Sequence, residues 1–208
     1  MAIESEIKLT VPDRETLDCI AALREVASFT AVDTGIHRHR DTYFDTEDLL
    51  LLRSKLVFRL REGKKGAVLA FKAQAPGGSG FYRRIEVEAP VSLSIADVEG
   101  GRLPDIPPVQ ELRRLIGIVA LRPALTVDNR RRIIHLSKIG IPRFELALDD
   151  VTFSGPRGTA HVFELEVESL GWEDDALRDI GTWLRERFPL EPAGPSKYIL
   201  GMELVGKR

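Results

Sequence analysis

Charged and apolar residues alternate along several segments of this chain, and this alternation restricts its possible folds more than any other feature. The first example is Glu4-Ser5-Glu6-Ile7-Lys8. Successive side chains of a β-strand point to opposite faces of the sheet, so Glu4, Glu6 and Lys8 would share one face. Segments 57–62, 84–88, 143–149 and 162–168 repeat the pattern. The sequence therefore predicts a mainly β (α+β) protein with an antiparallel sheet that is apolar on one face and charged on the other.

The charged face carries both signs, and the signs are sorted by strand. Its basic positions are Arg59, Arg61, Lys72, Arg130 and Arg132. Its acidic positions are Glu86, Glu88, Glu145, Asp149, Glu164, Glu166 and Glu168. Parity places Arg131 on the opposite face, which makes that strand less regular than the others.

Like charges on one strand are unfavourable unless opposite charges compensate them. The simplest alternative is an open sheet whose charged face meets water. A barrel of about eight strands with its charged face inward would instead let acids and bases meet across a water-filled lumen. Helices would then cover the apolar outer face, and we predict this eight-stranded antiparallel tunnel.

Helical patterns follow the first strand and recur near the C-terminus. Asp13 is a plausible N-cap for a helix with an apolar stripe from Leu17 to Leu23, and a second helix is predicted over 173–187. Cys19 lies in the first helix, where we expect a buried, inert thiol. Segment 92–118 is Pro-rich and predicts a loop and short helix inserted between two sheet halves. We expect one domain over 1–208.

Composition argues against two large classes of partner. Charged residues make up 30% of the chain, but its net charge is only −2. No global field therefore indicates binding to nucleic acid or a membrane. We find no leader pattern at the N-terminus and no apolar run long enough to span a bilayer, so we expect a cytoplasmic protein.

The predicted lumen suits a polyanion that binds together with a metal. Arginine presents a planar fork that matches phosphate oxygens, whereas clustered carboxylates would repel the same anion. A divalent cation between carboxylate and phosphate removes that conflict, and oxygen ligands suit Mg²⁺ or Mn²⁺. The sequence contains no Gly-x-x-x-x-Gly-Lys-Ser/Thr loop and no Cys or His metal spacing, so other phosphate-binding folds lose support.

Nine short charged motifs follow one another along the chain. In chain order the motifs are ESEIK at 4–8, YFDT at 43–46, FRLR at 58–61, Lys72 in LAFKA, IEVE at 85–88, RRR at 130–132, FELALD at 144–149, ELEVE at 164–168 and SKY at 196–198. A single Glu-x-Glu-x-Lys is weak evidence, whereas the ordered set covers nearly the whole chain and is much more specific. This set resembles a known family, the CYTH domains or triphosphate tunnel metalloenzymes.

The resemblance implies an eight-stranded antiparallel tunnel that acts on triphosphates with Mg²⁺ or Mn²⁺. The implied metal ligands are Glu4, Glu6, Asp149, Glu166 and Glu168. The implied phosphate-binding residues are Lys8, Arg59, Arg61, Lys72, Arg130, Arg132 and Lys197. The implied catalytic residues are Glu4, Glu6, Lys8, Arg59, Arg61, Lys72, Arg132 and Lys197. A second tier, Glu86, Glu88, Glu145 and Glu164, could bind a second metal, position water or neutralise the basic residues.

Family members differ in substrate, which leaves several functions open. The chain looks most like bacterial inorganic triphosphatases. Thiamine triphosphatase, adenylate cyclase and a binding module that holds polyphosphate or nucleotide without hydrolysis are the alternatives. The His-Phe pair that accompanies cyclase members is not seen before Glu4. We expect a small-molecule triphosphate as partner, allow for a homodimer, and find no C-terminal CHAD domain in this chain.

Overall fold

The residues that the structure describes fold around a single sheet of ten strands. The computed structural model describes residues 2–74, 81–171, 174–194 and 196–206, and the side chains of these ranges except 2–4, 74 and 81–85. The strands are β1 (Ala2–Val11), β2 (Glu25–Val26), β3 (Phe29–Asp45), β4 (Leu56–Gly63), β5 (Gly66–Gln74), β6 (Phe81–Val91), β7 (Arg122–Lys138), β8 (Ile141–Gly155), β9 (Gly158–Ser169) and β10 (Glu191–Pro192). The helices are α1 (Arg14–Ala21), α2 (Leu50–Arg53), α3 (Ile95–Glu99), α4 (Pro107–Ile116), α5 (Asp174–Arg187) and α6 (Lys197–Val205).

The sheet closes into a ring. Its strand order is β1-β6-β5-β4-β3-β7-β8-β9, and β9 pairs again with β1 over a register that places Lys8 opposite Glu166. All of these pairings are antiparallel. The short strands β2 and β10 lie outside the ring as partners of β3 and β1. The predicted eight-stranded antiparallel barrel is therefore confirmed.

Two local features explain how the ring is connected. Lys64 and Lys65 form a two-residue loop between β4 and β5, and Gly66 has a φ of 112°, which favours glycine. Asp45 ends β3 and accepts hydrogen bonds from the backbone N–H groups of Leu51 and Leu52 at 2.8 and 2.9 Å. Thr46 Oγ1 accepts a further hydrogen bond from the Leu50 N–H at 2.9 Å, so the side chains of Asp45 and Thr46 satisfy N–H groups at the start of α2, whose N-cap position is Leu49.

Helices cover the apolar outer face of the barrel in two separate cores. Helices α1 and α5 pack through Leu17, Ile20 and Leu177 on the outward residues of β1, β8 and β9. Helices α3 and α4, which lie in the predicted insertion, pack through Val98 and Leu112 on β4 and β5. The predicted helical cover is confirmed. The charged side chains on the other face of the same strands therefore point into the lumen.

Helix α6 packs on lumen-facing residues, an arrangement that the sequence pattern did not predict. Its residues Tyr198, Met202 and Val205 contact inward residues such as Val57 and Phe153. The sequence KYILGMELV is apolar around most of its circumference, so it has no clear helical stripe. Ser196 caps the helix by accepting a hydrogen bond from the Ile199 N–H at 3.2 Å.

Two other differences from the sequence predictions concern boundaries and burial. The sequence IHRHRDTYFD at 36–45 predicts a strand over those residues, whereas β3 already begins at Phe29. Cys19 is exposed, because α1 directs Leu17 and Ile20 toward the core, so the expectation of a buried thiol is wrong. None of the described helices combines the length and apolar character needed to span a bilayer.

Candidate functional site

A cavity of about 230 Å³ lies inside the barrel, and we call it the tunnel cavity. Most of its lining was predicted from strand parity. The lining residues are Glu6, Lys8, Tyr43, Val57, Arg59, Arg61, Lys72, Glu86, Glu88, Arg131, Glu145, Glu166, Glu168, Ser196 and Lys197. The Glu4 side chain lies outside the described part of the molecule. The structure therefore brings charges from many strands into one enclosed volume.

One half of the site is a buried carboxylate cluster centred on Lys197. Its Nζ lies 2.8 Å from Asp149 Oδ2, 2.7 Å from Glu164 Oε2 and 2.6 Å from Glu166 Oε1. The contact with Glu164 is an ion pair whose angle falls outside hydrogen-bond geometry. Ser196 starts α6, so Lys197 is the first residue of the helix and enters the cluster from the end of the barrel.

Two more cations complete this cluster. Arg131 donates to Asp149 Oδ1 and Oδ2 at 2.7 and 2.6 Å and also pairs with Glu166, which in turn accepts from Lys8. Burial raises the pKa of Glu166, but Lys197, Lys8 and Arg131 outweigh burial and hold that pKa well below its usual range. Burial lowers the pKa of Lys197, but Asp149, Glu164 and Glu166 outweigh it, so the ammonium stays charged.

A second group of carboxylates lies in one row across three neighbouring strands. The register places Glu6 on β1 opposite Glu168 on β9, and Glu168 opposite Glu145 on β8. Glu168 forms no ion pair with any residue whose side chain the structure describes. Burial and the charges of Glu6 and Glu145 raise its pKa to about 7, although Lys72 acts in the opposite direction. Mutual repulsion in this row is therefore incompletely compensated.

This row suits a divalent cation better than the cluster at Lys197 does. Oxygens of Asp149, Glu164 and Glu166 approach within 4.8 Å of one another, a spacing that a metal could accept. However, Lys197 Nζ lies among them and Arg131 and Lys8 add further charge, so the cluster is already neutralised. At Glu168 a cation would relieve repulsion between carboxylates instead of displacing an ammonium group.

The raised pKa of Glu168 predicts a specific pH dependence of stability. The native state binds this proton more tightly than the unfolded chain, so the unfolding free energy of the metal-free protein should fall as pH rises from 4.5 to about 7. Water in the tunnel screens the charge of Glu168 and reduces the effect of the pKa shift. We therefore expect the unfolding free energy to fall by about 1 to 2 kcal/mol. Urea titrations of wild type and Glu168→Gln across this range should differ in slope, with the flatter profile in the variant.

Parallel profiles would contradict the raised pKa. The comparison isolates Glu168 because Asp41, Asp149 and Glu166 have lowered pKa values. Their contributions to stability are lost only as pH falls below the ordinary carboxylate range.

The basic side of the tunnel depends on Asp41, which the sequence analysis missed. Arg61 donates to Asp41 Oδ1 and Oδ2 at 2.7 and 2.8 Å, and Arg59 donates to Oδ2 at 3.2 Å. Burial raises the pKa of Asp41, but Arg59 and Arg61 outweigh it and keep the carboxylate ionised. Strand parity could have identified Asp41 as a lumen residue, because Asp41 shares a face with Tyr43 and lies opposite Arg61 in the register.

Lys72 and Glu86 connect the basic side to the acidic side. They form an ion pair across β5 and β6, and Glu86 Oε1 also lies 3.6 Å from Arg59 Nη2. Glu88 lines the same cavity. The predicted residues Lys72, Glu86 and Glu88 are thus placed near Arg59 and Arg61.

Strand β7 requires a correction to the predicted faces. Arg131, not Arg130 or Arg132, points into the tunnel cavity, because it pairs in register with Asp149. Arg132 lies outside, with Nε 3.9 Å from Asp33 Oδ2, and Arg130 lies at the rim of the barrel. Segment 130–134 contains three arginines followed by two isoleucines, so its sequence has no alternation from which parity could be fixed.

Comparison with solved structures identifies related folds. HpAC1 from Hippeastrum, reported to have a dominant triphosphatase activity, has a TM-score of 0.70 and 18% identity, with 97% of this chain and 96% of that chain covered. A candidate adenylate cyclase from Bacillus halodurans has a TM-score of 0.65 and 18% identity, with 96% and 98% covered. PH1012 from Pyrococcus horikoshii has a TM-score of 0.57 and 21% identity, with 98% and 99% covered. At these identities the similarity establishes the fold alone.

Sequence comparison identifies the family. No curated protein matches the chain. A family model described as the CYTH domain matches residues 2–192, which include every strand of the ring and β10. The chain belongs to the CYTH domain family.

Proposed function

We propose that this protein is a divalent-metal-dependent triphosphatase whose preferred substrate is inorganic triphosphate, cleaved to diphosphate and phosphate. The main support for this proposal is that cations and a row of carboxylates occupy different sides of the tunnel cavity. Arg59, Arg61 and Lys72 lie on one side, and the carboxylate row at Glu168 lies on another. Such a cavity can bind a compact polyanion and a cation together.

Glu6, Glu168 and Glu145 are the residues that would hold the cation. Family resemblance adds Glu4. The fit rests on the register that places these three carboxylates side by side, and burial together with the charges of Glu6 and Glu145 raises the pKa of Glu168, a cost that a bound cation would relieve. When bound, Mg²⁺ or Mn²⁺ supplies Lewis acidity and lowers the pKa of a water ligand.

The chain's own residues position the phosphates. Asp41 holds Arg59 and Arg61 in fixed orientations, so their guanidinium groups are organised before the substrate arrives. Burial lowers the pKa of Arg59, but Asp41 outweighs it, and the group remains charged in the tunnel. Charge that develops on the phosphoryl and leaving-group oxygens would be stabilised by these cations and by Lys72.

Arg131 points into the tunnel cavity, so its role differs from the one that strand parity predicted. It pairs with Asp149 and Glu166 and lines the tunnel cavity. We propose that Arg131 contributes to phosphate binding in place of Arg130 and Arg132, which point away from the tunnel cavity. Lys8 and Lys197 would keep the nearby carboxylates from repelling the substrate.

The test is phosphate release from inorganic triphosphate, thiamine triphosphate and ATP, each with Mg²⁺, Mn²⁺ or a chelator. We expect metal-dependent release that is fastest from inorganic triphosphate. Cyclic AMP formed from ATP would identify a cyclase instead. Tight binding of triphosphate without phosphate release under either metal would identify a binding module.

A further inference from the structure

Helix α6 carries Lys197 into the tunnel, but the apolar residues of the helix do not fix its rotation. Met202 and Val205 pack on lumen-facing residues, whereas Leu204, which is also apolar, is 41% exposed. Burial of apolar area is non-directional, so several rotations of such a helix bury a similar amount. A turn by one residue, about 100°, would move Lys197 out of its cluster. A directional contact must therefore select the observed rotation.

The hydroxyl of Tyr198 supplies such a contact. It donates a hydrogen bond to Asp45 Oδ2 at 2.6 Å, and both residues are only 1% exposed. The Tyr198 ring also lies parallel to the Tyr43 ring, with centroids 5.3 Å apart and an interplanar angle of 6°. Burial and the hydrogen bond to Asp45 raise the pKa of Tyr198, so the phenol keeps the proton that it donates. Any other rotation of α6 would bury this hydroxyl without its partner, which is costly.

Asp45 is a fixed acceptor because backbone groups hold it in place. It ends β3 and accepts hydrogen bonds from the N–H groups of Thr46, Leu51 and Leu52 at 2.7, 2.8 and 2.9 Å. These bonds tie the carboxylate to the end of β3 and to the start of α2. The barrel wall, and not α6, therefore sets the position at which the Tyr198 hydroxyl must arrive.

A close approach one turn further along α6 agrees with the same rotation. A Cβ atom at Gly201 would lie 2.4 Å from Leu125 Cδ2 and 2.6 Å from Phe153 Cδ1. Only glycine allows the helix to approach these lumen-facing side chains so closely. Tyr198 and Gly201 are three residues apart and lie on one face of the helix.

Lys197 precedes Tyr198 in the chain, so the rotation that places the tyrosine also places the ammonium group. Lys197 Nζ lies 2.8, 2.7 and 2.6 Å from oxygens of Asp149, Glu164 and Glu166. Contacts this short between an ammonium group and three buried carboxylates need the start of the helix to be held accurately. The Asp45–Tyr198 hydrogen bond lies one residue away from this cluster in sequence.

We propose that Asp45 and Tyr198 are positioning residues for Lys197, because their hydrogen bond sets the rotation of α6 and keeps the ammonium group among the buried carboxylates. Neither residue belongs to the described lining of the tunnel cavity, so both act through Lys197. The effect on substrate rests on the proposed function. Once Lys197 is displaced, the uncompensated carboxylates repel a triphosphate from the cavity.

The first test is Tyr198→Phe, which removes the hydroxyl and keeps the ring, in thermal unfolding with and without millimolar Mn²⁺. Displacement of Lys197 leaves the three acids open to a cation. Mn²⁺ should therefore raise the melting temperature of this variant by about 2 to 4 °C more than that of wild type. Equal responses of the two proteins to Mn²⁺ would overturn the assignment.

Val205→Ala is the matched control, because it trims apolar contacts of α6 and leaves the Asp45–Tyr198 hydrogen bond in place. Its melting temperature should fall, since a buried side chain loses volume. Its response to Mn²⁺ should equal that of wild type. An enlarged response in this control would show that any weakening of α6 exposes the acids, and would overturn a specific role for the hydrogen bond.

The second test asks whether the effect passes through Lys197. With a chelator present, calorimetry should show that Tyr198→Phe binds inorganic triphosphate about tenfold more weakly than wild type, whereas the same change added to Lys197→Met should cause no further loss. Additive losses would overturn the proposal. An enlarged Mn²⁺ response without phosphate release from any triphosphate by wild type would refute the proposed activity alone. Phosphate release by wild type together with equal Mn²⁺ responses would refute the positioning role alone.

Discussion

Replacing Glu168 by Gln is expected to lower metal-dependent phosphate release from inorganic triphosphate about a thousandfold. A bound cation contributes several kcal/mol of transition-state stabilisation, and about 4 kcal/mol corresponds to this factor. The amide keeps the shape of the side chain but removes the charge at the centre of the row formed by Glu6, Glu168 and Glu145. Initial rates with Mg²⁺ and Mn²⁺ would measure the loss.

Stability should change in the opposite direction, which separates a ligand-binding role from a structural one. The raised pKa of Glu168 shows that its charge opposes folding, so the metal-free variant should be more stable than wild type by about 1 to 2 kcal/mol at about pH 8. Glu186→Gln on the exposed surface of α5 is the control, and both quantities should stay unchanged there. Near-normal phosphate release from Glu168→Gln would exclude this carboxylate as a metal ligand.

Replacing Lys197 by Met is expected to cost about 3 to 5 kcal/mol of unfolding free energy at neutral pH, because it leaves buried carboxylates without their shared cation. Lys197 Nζ contacts three acids between 2.6 and 2.8 Å. Arg131 and Lys8 still pair with Asp149 and Glu166, whereas Glu164 loses its ion pair. Urea unfolding would measure the cost, and Lys138→Met, an exposed position at the end of β7, is the control.

The same variant should gain a cation site. The oxygens of Asp149, Glu164 and Glu166 lie within 4.8 Å of one another, so a divalent cation can replace the missing ammonium charge. Millimolar Mn²⁺ should therefore restore more stability to Lys197→Met than it adds to wild type, in a thermal-unfolding comparison. A loss below 1 kcal/mol, or equal stabilisation of both proteins by Mn²⁺, would show that Lys197 is not the structural centre of this cluster.

Strand parity predicted the site best where charged and apolar residues alternate without interruption. Glu164, Glu166 and Glu168 alternate with Leu165 and Val167 on β9, and this order alone places the acids on one face. Arg131 shows the limit of the method. Its face was set by pairing with Asp149, and the local sequence has no alternation that could have revealed it.

The two acidic groups also look alike in sequence, and only their neighbours distinguish them. Glu166 and Glu168 share one strand and one face. Glu166 is surrounded by Lys8, Lys197 and Arg131, whereas Glu168 faces Glu6 and Glu145. Their pKa values therefore shift in opposite directions.

The sequence by itself determined the antiparallel barrel, the charged lumen, the helical cover and the family, because each depends on local period and on the order of motifs. The tertiary structure alone decided which acids are neutralised, how Asp41 holds Arg59 and Arg61, and that α6 brings Lys197 into the lumen. The physical reason is distance. Coulomb and hydrogen-bond interactions between residues far apart in sequence act over a few ångströms, and only strand register and closure of the ring bring those residues together.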